Sequence, residues 1–346
     1  MRVSLITENT SRRNGGSYRK LMRIFIHAQH GATIGDNLLI EYLAKWLRLN
    51  FDCQVQYDSG LVNASTVHSC DRLIFGPCGL VYDAGPKTEK DNWEDYTVEK
   101  CGVLHAARKL GKRIFGFNLG VQRLENPEHQ RLWSEGLNCC EQITTREEHT
   151  TQKFKEIGVK VPIETCRDIG FYMDTFTSIQ HKPSSKPILG VNLKEYSLAW
   201  ENALRTLEHV CNVKMMPFTC DETEELKKFG YSVPDWVGYT LDNISQAYSE
   251  LSAIVTSHMH ASIFSVMCDV PFLQLKYEDT KHSWLMDELG YRHLWHSDDC
   301  QALMVERVKI ILAYANEIKK QLAEARARMK PLAQKNFEIL HAWLES

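Results

Sequence analysis

The sequence of 346 residues has no long apolar run and no excess of one charge. No segment approaches the roughly 18 consecutive apolar residues of a membrane-spanning helix, and the first twenty residues lack the apolar centre of a signal peptide. The formal net charge of −3 provides no electrostatic footprint for nucleic acid. We therefore expect a protein that neither spans a membrane nor binds nucleic acid, located in the cytoplasm or at the membrane periphery.

The eleven cysteines include no CxxC pair and follow no regular spacing. Disulfide frameworks are typical of small secreted domains, and structural zinc sites need ligand pairs at short spacing. The first glycine-containing loop also lacks the GxGxxG spacing of a dinucleotide site. We expect reduced thiols, no metal and no cofactor.

The chain is longer than one typical core of roughly 100 to 200 residues, and short apolar segments alternate with amphipathic ones in both halves. This βαβ rhythm predicts an α/β protein of two Rossmann-like domains that face a cleft. We predict a flexible N-terminal tail at 1–20, a first domain at 21–178, a linker at 179–187 and a second domain at 188–346. The segment from about Gln301 to Leu344 is predicted to be helical, interrupted at Pro331, with one long helix crossing back onto the first domain.

Two loops with glycines follow predicted strands in the first half. Gly35, Asp36 and Asn37 precede a helix, while Gly76 and Gly79 form a second turn. Glycines at these places could let a ligand approach the backbone closely. The alternative interpretation is structural: a tight turn with Asp36 or Asn37 as helix cap, and a glycine-proline turn that needs no ligand.

Arg146 ends a short β-like run directly before a helical segment. A guanidinium at such a place can bind a carboxylate or a phosphate through two hydrogen bonds. The alternative is a solvent-exposed arginine balanced by Glu147 and Glu148, or by another carboxylate that the fold brings near.

The densest group of reactive side chains lies between Ser257 and Lys281. An apolar run up to Thr256 predicts a buried strand, a helix is predicted to follow, and His258 and His260 lie between them. Ligands of α/β proteins bind where strands end, and helix N-termini favour anions. We predict an active-site loop for phosphate or carboxylate. A metal-binding histidine pair is the competing interpretation, but no third ligand follows at helical spacing.

At these residues the chain resembles the polysaccharide pyruvyl transferase family, whose pattern here is Ser-Arg-Leu-His-Ala, then Gly-x-Pro, then Tyr and Lys. This chain has Ser257 to Ala261, Asp269 to Pro271, Tyr277 and Lys281 in the same order. The resemblance also includes the glycine-containing loops, the segment around Arg146, and Asp168 to Phe171. His258 stands where the family has Arg, Asp269 replaces Gly, and one extra residue separates Tyr277 from Lys281. A neutral imidazole cannot replace a bidentate guanidinium.

The resemblance implies a GT-B-like fold and transfer of the carboxyvinyl group of phosphoenolpyruvate to two sugar hydroxyls of a glycan or lipid-linked precursor. The products would be a pyruvate ketal and phosphate. His260 would be the general acid or a donor ligand, with Asp36 or Asp168 as candidate bases. The implied donor-binding residues, on the second domain apart from the arginine, are Arg146, Ser257, His258, Tyr277 and Lys281. The implied acceptor-side residues are Gly35, Asp36, Asn37, Gly76, Gly79 and Asp168.

A fold does not determine a function, so two other functions stay open. The same cleft could serve a GT-B-type glycosyltransferase with a nucleotide-sugar donor, and His258 in place of Arg keeps that alternative open. A catalytically inactive glycan-binding homologue is the third. Release of phosphate from phosphoenolpyruvate, release of a nucleoside diphosphate, or glycan binding without donor binding would distinguish them. The sequence leaves the oligomeric state open.

Overall fold

A computed structural model describes residues 21–28, 33–58, 64–83, 93–176, 185–194, 196–233, 239–275, 280–290, 295–296 and 301–346. The tail predicted at 1–20 lies outside the described residues, as does the linker predicted at 179–187 up to residue 184. Tyr277 also lies outside them.

The first sheet is wholly parallel, and seven of its strands lie in the described residues, in the order β2-β1-β3-β5-β6-β7 with β4 beside β5. Its strands are β1 (Met22–His27), β2 (Cys53–Asp58), β3 (Arg72–Phe75), β4 (Cys78–Val81), β5 (Arg113–Val121), β6 (Gln142–Thr145) and β7 (Ile163–Thr165). Its helices are α1 (Ile34–Asn50), α2 (Ala64–Ser69), α3 (Trp93–Lys109), α4 (Pro127–Leu137) and α5 (Glu148–Glu156).

The second sheet is also parallel, and its five described strands follow the order β12-β11-β10-β8-β9. The strands are β8 (Ile188–Asn192), β9 (Asn212–Met215), β10 (Ala253–Thr256), β11 (Phe272–Leu275) and β12 (Trp295–His296). The helices are α6 (Leu198–Leu207), α7 (Cys220–Lys228), α8 (Ile244–Ser249), α9 (Met259–Met267), α10 (Thr280–Leu289) and α11 (Gln301–Ala313).

The predicted α/β architecture with parallel sheets is confirmed. Strands buried on both faces need near-continuous apolar runs, and the apolar run predicted to end as a buried strand at Thr256 is β10. The strands β4 and β7 were not predicted, because the glycine in β4 and the polar residues in β7 interrupt the apolar run that would indicate a buried strand.

A helix of 31 residues, α12 (Ala315–Glu345), packs back against the first sheet. The ring of Phe337 lies 5.4 Å from that of Phe117 on β5, and the indole nitrogen of Trp343 donates to Glu141 at 2.7 Å. The predicted interruption at Pro331 is wrong, since Pro331 lies inside α12 and the helical segment breaks at Tyr314 instead. Pro331 is exposed, so water can hydrate the carbonyl whose helical hydrogen bond the proline removes.

The described helices include none that is both long enough and apolar enough to cross a membrane.

Candidate active site

The site lies where the strand order of each sheet reverses direction. In the first sheet β1 lies between β2 and β3, and in the second β8 lies between β9 and β10. Loops leaving two adjacent parallel strands toward opposite sides open a crevice at the carboxyl ends of the strands, which is where ligands bind in such sheets. The glycine-containing loops of the first half and the Ser257 loop of the second half therefore leave from corresponding positions.

A cleft between these loops has about 510 Å³ of space not filled by atoms, part of it open to solvent. Both sheets contribute to its wall. The lining residues are Thr33, Asp36, Gly79, Gln122, Arg146, Lys194, Phe218, His258, Met259 and His260. The backbone N–H of Ile34 donates to the carbonyl of Phe218 at 2.9 Å and joins the two sides of the cleft directly.

Arg146 is buried at the floor of the cleft, with 2% of its side chain exposed. Its Nε donates to Glu147 at 2.9 Å, and its Nη1 lies 3.6 Å from Asp168 Oδ2. The solvent-exposed alternative for Arg146 is therefore wrong, although the predicted balance by Glu147 and a distant carboxylate is present. Burial lowers the pKa of Arg146, but Glu147 and Asp168 outweigh burial and raise it, so the guanidinium stays charged.

One donor of this guanidinium is unused. Arg146 Nη2 is buried and has no hydrogen-bond partner within the described part of the chain. A buried unsatisfied donor costs roughly 1 to 3 kcal/mol, and more for a charged group. A bound anion in the cleft would satisfy it.

His260 lies between two carboxylates. Its Nδ1 is 3.8 Å from Asp36 Oδ1 and its Nε2 is 3.5 Å from Asp168 Oδ2. Burial raises the pKa of Asp168, but the His260 and Arg146 contacts overcome it and hold the pKa of Asp168 below its ordinary value. Asp168 is thus a carboxylate near neutral pH, in contact with both the predicted acid and the predicted donor ligand.

The segment that carries Asp168 is held from both sides by two buried asparagines. Asn118 donates to the carbonyl of Arg167 at 2.9 Å and accepts from the N–H of Ile169 at 3.2 Å. Asn336, on α12, donates to the same Arg167 carbonyl at 2.8 Å and accepts from Asn118 at 3.1 Å. Both peptide groups that flank Asp168 are therefore fixed, and α12 takes part in building the site.

His258 is paired with a residue that the sequence did not single out. Its Nε2 lies 2.5 Å from Glu222 Oε1, and its ring packs 5.6 Å from that of Phe218. The other oxygen of Glu222 accepts from the N–H of Phe218 at 2.8 Å and from Asn192 at 3.4 Å. Glu222, with 3% of its side chain exposed, therefore anchors His258 to the start of α7.

Ser257 acts through a neighbouring loop. Its hydroxyl oxygen accepts from the backbone N–H of Lys194 at 2.7 Å, and its own N–H donates to the carbonyl of Asn192 at 2.9 Å. Ser257 is buried and is not among the residues that line the cleft. Instead of lining the cleft as a donor-binding residue would, it fixes the position at which the Lys194 backbone enters the cleft wall.

The predicted glycines have different roles. A Cβ on Gly35 would lie 2.2 Å from His260 Nδ1, so the space that Gly35 leaves is occupied by the imidazole and not by a ligand. Gly76, at φ +117°, would place a Cβ 2.1 Å from the carbonyl of Phe117 and packs against β5 rather than lining the cleft. Gly79 does line the cleft.

The first turn of α1 also differs from the structural alternative. Thr33 is the N-cap, and its hydroxyl accepts from the N–H of Asp36 at 3.2 Å, so neither Asp36 nor Asn37 caps the helix. Thr33 also donates to Asp36 Oδ2 at 2.8 Å, which leaves Oδ1 toward His260. Asn37 lies in α1 and does not line the cleft.

Asp269 explains one departure from the family pattern. It has φ +52°, in the left-handed region that glycine adopts freely and that aspartate tolerates better than most residues. Its carboxylate pairs with Arg326 of α12 at 2.8 Å. The aspartate therefore fits a position suited to glycine and adds an ion pair.

Two predicted donor ligands lie partly or wholly outside the described residues. Lys281 belongs to the first turn of α10, but its side chain is outside them, as is the whole of Tyr277. Within the described ranges, no three His, Cys, Asp or Glu side chains are grouped to hold a metal ion.

The site residues that sequence reasoning missed include Gln122, Lys194, Glu222 and Asn336. Lys194 carried a recoverable signal, because it follows the apolar strand β8 just as His258 follows β10. The others had none, since each contacts the site through a separation in sequence that only the fold closes.

Comparison with known sequences identifies the family. A profile described as polysaccharide pyruvyl transferase matches residues 14–279, well over half of the chain. The chain belongs to the polysaccharide pyruvyl transferase family. Membership of this family makes the protein a glycan-modifying transferase. Among curated proteins, no sequence matches the chain.

Solved structures share the fold at low identity. The wall teichoic acid polymerase TagF aligns with a TM-score of 0.56 at 10% identity, over 93% of this chain and 89% of TagF. A co-structure of S. aureus MnaA with UDP aligns at 0.58 with 12% identity, over 94% and 97%. The Methanocaldococcus jannaschii UDP-GlcNAc 2-epimerase, in complex with UDP-GlcNAc and UDP, aligns at 0.52 with 11% identity, over 84% and 93%. These similarities show a GT-B-like α/β fold and no more.

Proposed function

We propose that the protein transfers the pyruvyl group of phosphoenolpyruvate to two hydroxyls of a sugar, in a cleft between two Rossmann-like domains, without a metal or cofactor. The observation that carries this proposal is the buried Arg146, whose Nη2 has no partner among the described residues and lies in a cleft that also holds His260. A planar guanidinium suits a carboxylate or phosphate, and phosphoenolpyruvate has both. Family membership supports the same reaction class.

In the proposed reaction His260 protonates the methylene carbon of the donor, and the adjacent carbon becomes cationic. A sugar hydroxyl attacks that carbon and a second hydroxyl displaces phosphate, which closes the ketal. The acceptor loses two protons, of which one restores the acid and the other leaves on phosphate. Asp36 and Asp168 face the two ring nitrogens of His260, so a proton on either nitrogen has a carboxylate beside it.

Arg146 and Lys281 would hold the carboxylate and phosphate of the donor, with the free amides at the start of α9 assisting. A positive charge that is already in position before the reaction stabilises the departing phosphate without reorganisation of the site.

The direct test is a mass spectrum of candidate glycans incubated with phosphoenolpyruvate. The expected product is heavier than the acceptor by pyruvic acid less one water, and phosphate is released in equal amount. His260→Ala is expected to lower turnover by about 10² to 10⁴, the usual contribution of a positioned proton donor. Near-normal turnover of a folded His260→Ala protein would remove His260 from the mechanism.

The pairing of His258 with Glu222 favours a second candidate, a glycosyltransferase with a nucleotide-sugar donor. A guanidinium can donate two parallel hydrogen bonds to the carboxylate of phosphoenolpyruvate. The His258 imidazole, held 2.5 Å from the buried Glu222 carboxylate, cannot. Release of a nucleoside diphosphate from a sugar nucleotide, with no product from phosphoenolpyruvate, would select this candidate. Glycan binding without affinity for either donor would instead select an inactive binding protein.

A further inference from the structure

Basic side chains from both sheets line the cleft. Lys281, which the proposed reaction also assigns to the donor, has its side chain outside the described residues. The donor of the proposed reaction has two anionic groups, and the lining guanidinium, Arg146, comes from the first sheet. Two such groups are best held from two directions, because a single cation cannot face both. The basic side chains that the second half of the chain contributes to the lining are His258, His260 and Lys194.

His258 is poorly placed to supply this charge. Its Nε2 is bound to Glu222 Oε1, and both side chains are buried, with 7% and 3% exposed. Any positive charge on the imidazole is thus neutralised by a carboxylate in direct contact. The pair contributes rigidity to the cleft wall and little net attraction for an anion.

Lys194 occupies an equivalent place on the adjacent strand. Asn192 at the end of β8 pairs in register with Thr256 at the end of β10, so Lys194 and His258 each stand two residues beyond the sheet, side by side. The hydroxyl of Ser257 accepts the backbone N–H of Lys194 at 2.7 Å and fixes that loop. Lys194 is half-buried and lines the same cleft as Arg146.

We infer that Lys194 is a donor-binding residue, which brings a lysine side chain to the cleft from the end of β8, beside His258 at the end of β10. This role of Lys194 rests on the proposed function, in which Lys194 binds the anionic donor opposite Arg146. Ser257 is then a positioning residue for Lys194.

The test is calorimetric titration of the full chain with phosphoenolpyruvate, UDP and inorganic phosphate as separate probes. The variants are Lys194→Met, Lys194→Arg and the matched control Lys228→Met, which removes the same charge from an exposed position on α7. Lys194→Met is expected to raise the Kd for phosphoenolpyruvate by about 10- to 100-fold, the usual loss for a hydrogen bond to a charged group. Lys194→Arg is expected to restore much of the affinity, and Lys228→Met to leave it unchanged.

A second measurement uses the unmodified protein and so tests the same role even if Lys194→Met fails to fold. Acetic anhydride labels accessible amines of the unmodified protein, and mass spectrometry of the peptides reports labelling at Lys194 and Lys228. Phosphoenolpyruvate is expected to protect Lys194 several-fold and Lys228 not at all. Equal labelling of Lys194 with and without the bound probe would overturn the inference.

The outcomes separate the inference from the proposed function. Unchanged phosphoenolpyruvate affinity in Lys194→Met overturns the role of Lys194 and leaves the function standing. Binding of UDP alone, weakened by Lys194→Met, overturns the function and supports Lys194 as the anion ligand. Failure of the unmodified protein to bind any of the three probes overturns both.

Discussion

Replacement of Asn336 by leucine tests whether α12 takes part in catalysis as well as in packing. Leucine has the same branched skeleton of heavy atoms as asparagine, but its side chain cannot form a hydrogen bond. In the variant, Asn118 still donates to the Arg167 carbonyl at 2.9 Å, but the bonds from Asn336 to that carbonyl, to Ala333 and from Asn118 are lost. One of the two clamps on the Asp168 segment is therefore removed while the other remains.

The stability cost follows from these bonds. A buried hydrogen bond contributes about 0.5 to 1.5 kcal/mol net, and the lost bonds to Arg167 and Asn118 leave groups that keep one other partner. We expect the free energy of unfolding to fall by about 1 to 3 kcal/mol. The neighbouring Gln334→Leu is the matched control. Within the described part of the chain the side chain of Gln334 bonds to Glu338 on the same helix, so its cost should stay within about 0.5 kcal/mol.

The kinetic consequence is specific to a positioning role. If the clamp holds Asp168 against His260, its loss should lower kcat about tenfold or more while KM for the donor changes little. The acidic limb of the pH profile should also move to higher pH, because the contacts with His260 and Arg146 that lower the pKa of Asp168 weaken. Urea denaturation and steady-state kinetics measure both effects. Loss of stability with unchanged kcat and pH profile would refute the positioning argument.

Three further predictions concern other parts of the site. Gly35→Ala places a Cβ 2.2 Å from His260 Nδ1 and should lower kcat about tenfold or more. The control Gly102→Ala, on α3 with open space around it, should leave kcat unchanged. Full activity of Gly35→Ala would show that the imidazole can move freely. Arg146→Lys keeps the charge but loses the fork, so phosphoenolpyruvate affinity should fall about tenfold by calorimetry, and unchanged affinity would exclude a bidentate contact. Burial raises the pKa of Glu288 to about 7. The folded state therefore binds this proton more tightly than the unfolded state, and the stability it contributes is lost as pH rises from about 4.5 to about 7. Glu288→Gln should flatten that part of the denaturation profile, and an unchanged profile would assign the pH dependence to other groups.

The family pattern and the βαβ rhythm were sufficient for the fold class because both depend on local sequence. Apolar runs that become parallel strands, such as Ala253 to Thr256, are visible without knowledge of their neighbours. Helix continuity through Pro331 was not visible, because the proline rule applies to an average helix and not to one whose proline lies on the exposed face.

Side-chain roles were harder to predict than side-chain importance. Arg146 and His260, predicted as a donor ligand and a general acid, both line one cleft, since each follows a strand at its carboxyl end. Ser257 and Gly35 were selected for ligand contact, yet one holds the Lys194 loop and the other makes room for His260. The residue type indicated that something approaches closely, but not whether it is a ligand or another side chain.

The segment from Ser257 to Lys281 shows which features of the site depend on local sequence and which depend on tertiary structure. The sequence alone determined that a strand ends there, that two imidazoles follow it and that a helix begins, because backbone preference and apolar period are properties of neighbouring residues. Only the tertiary structure decided that His258 is bound to Glu222 while His260 lies between Asp36 and Asp168. Glu222 is 36 residues from His258 in sequence, and Asp36 and Asp168 reach His260 from the first sheet. These pairings therefore depend on chain topology and on which buried charges can be neutralised at the sheet edge.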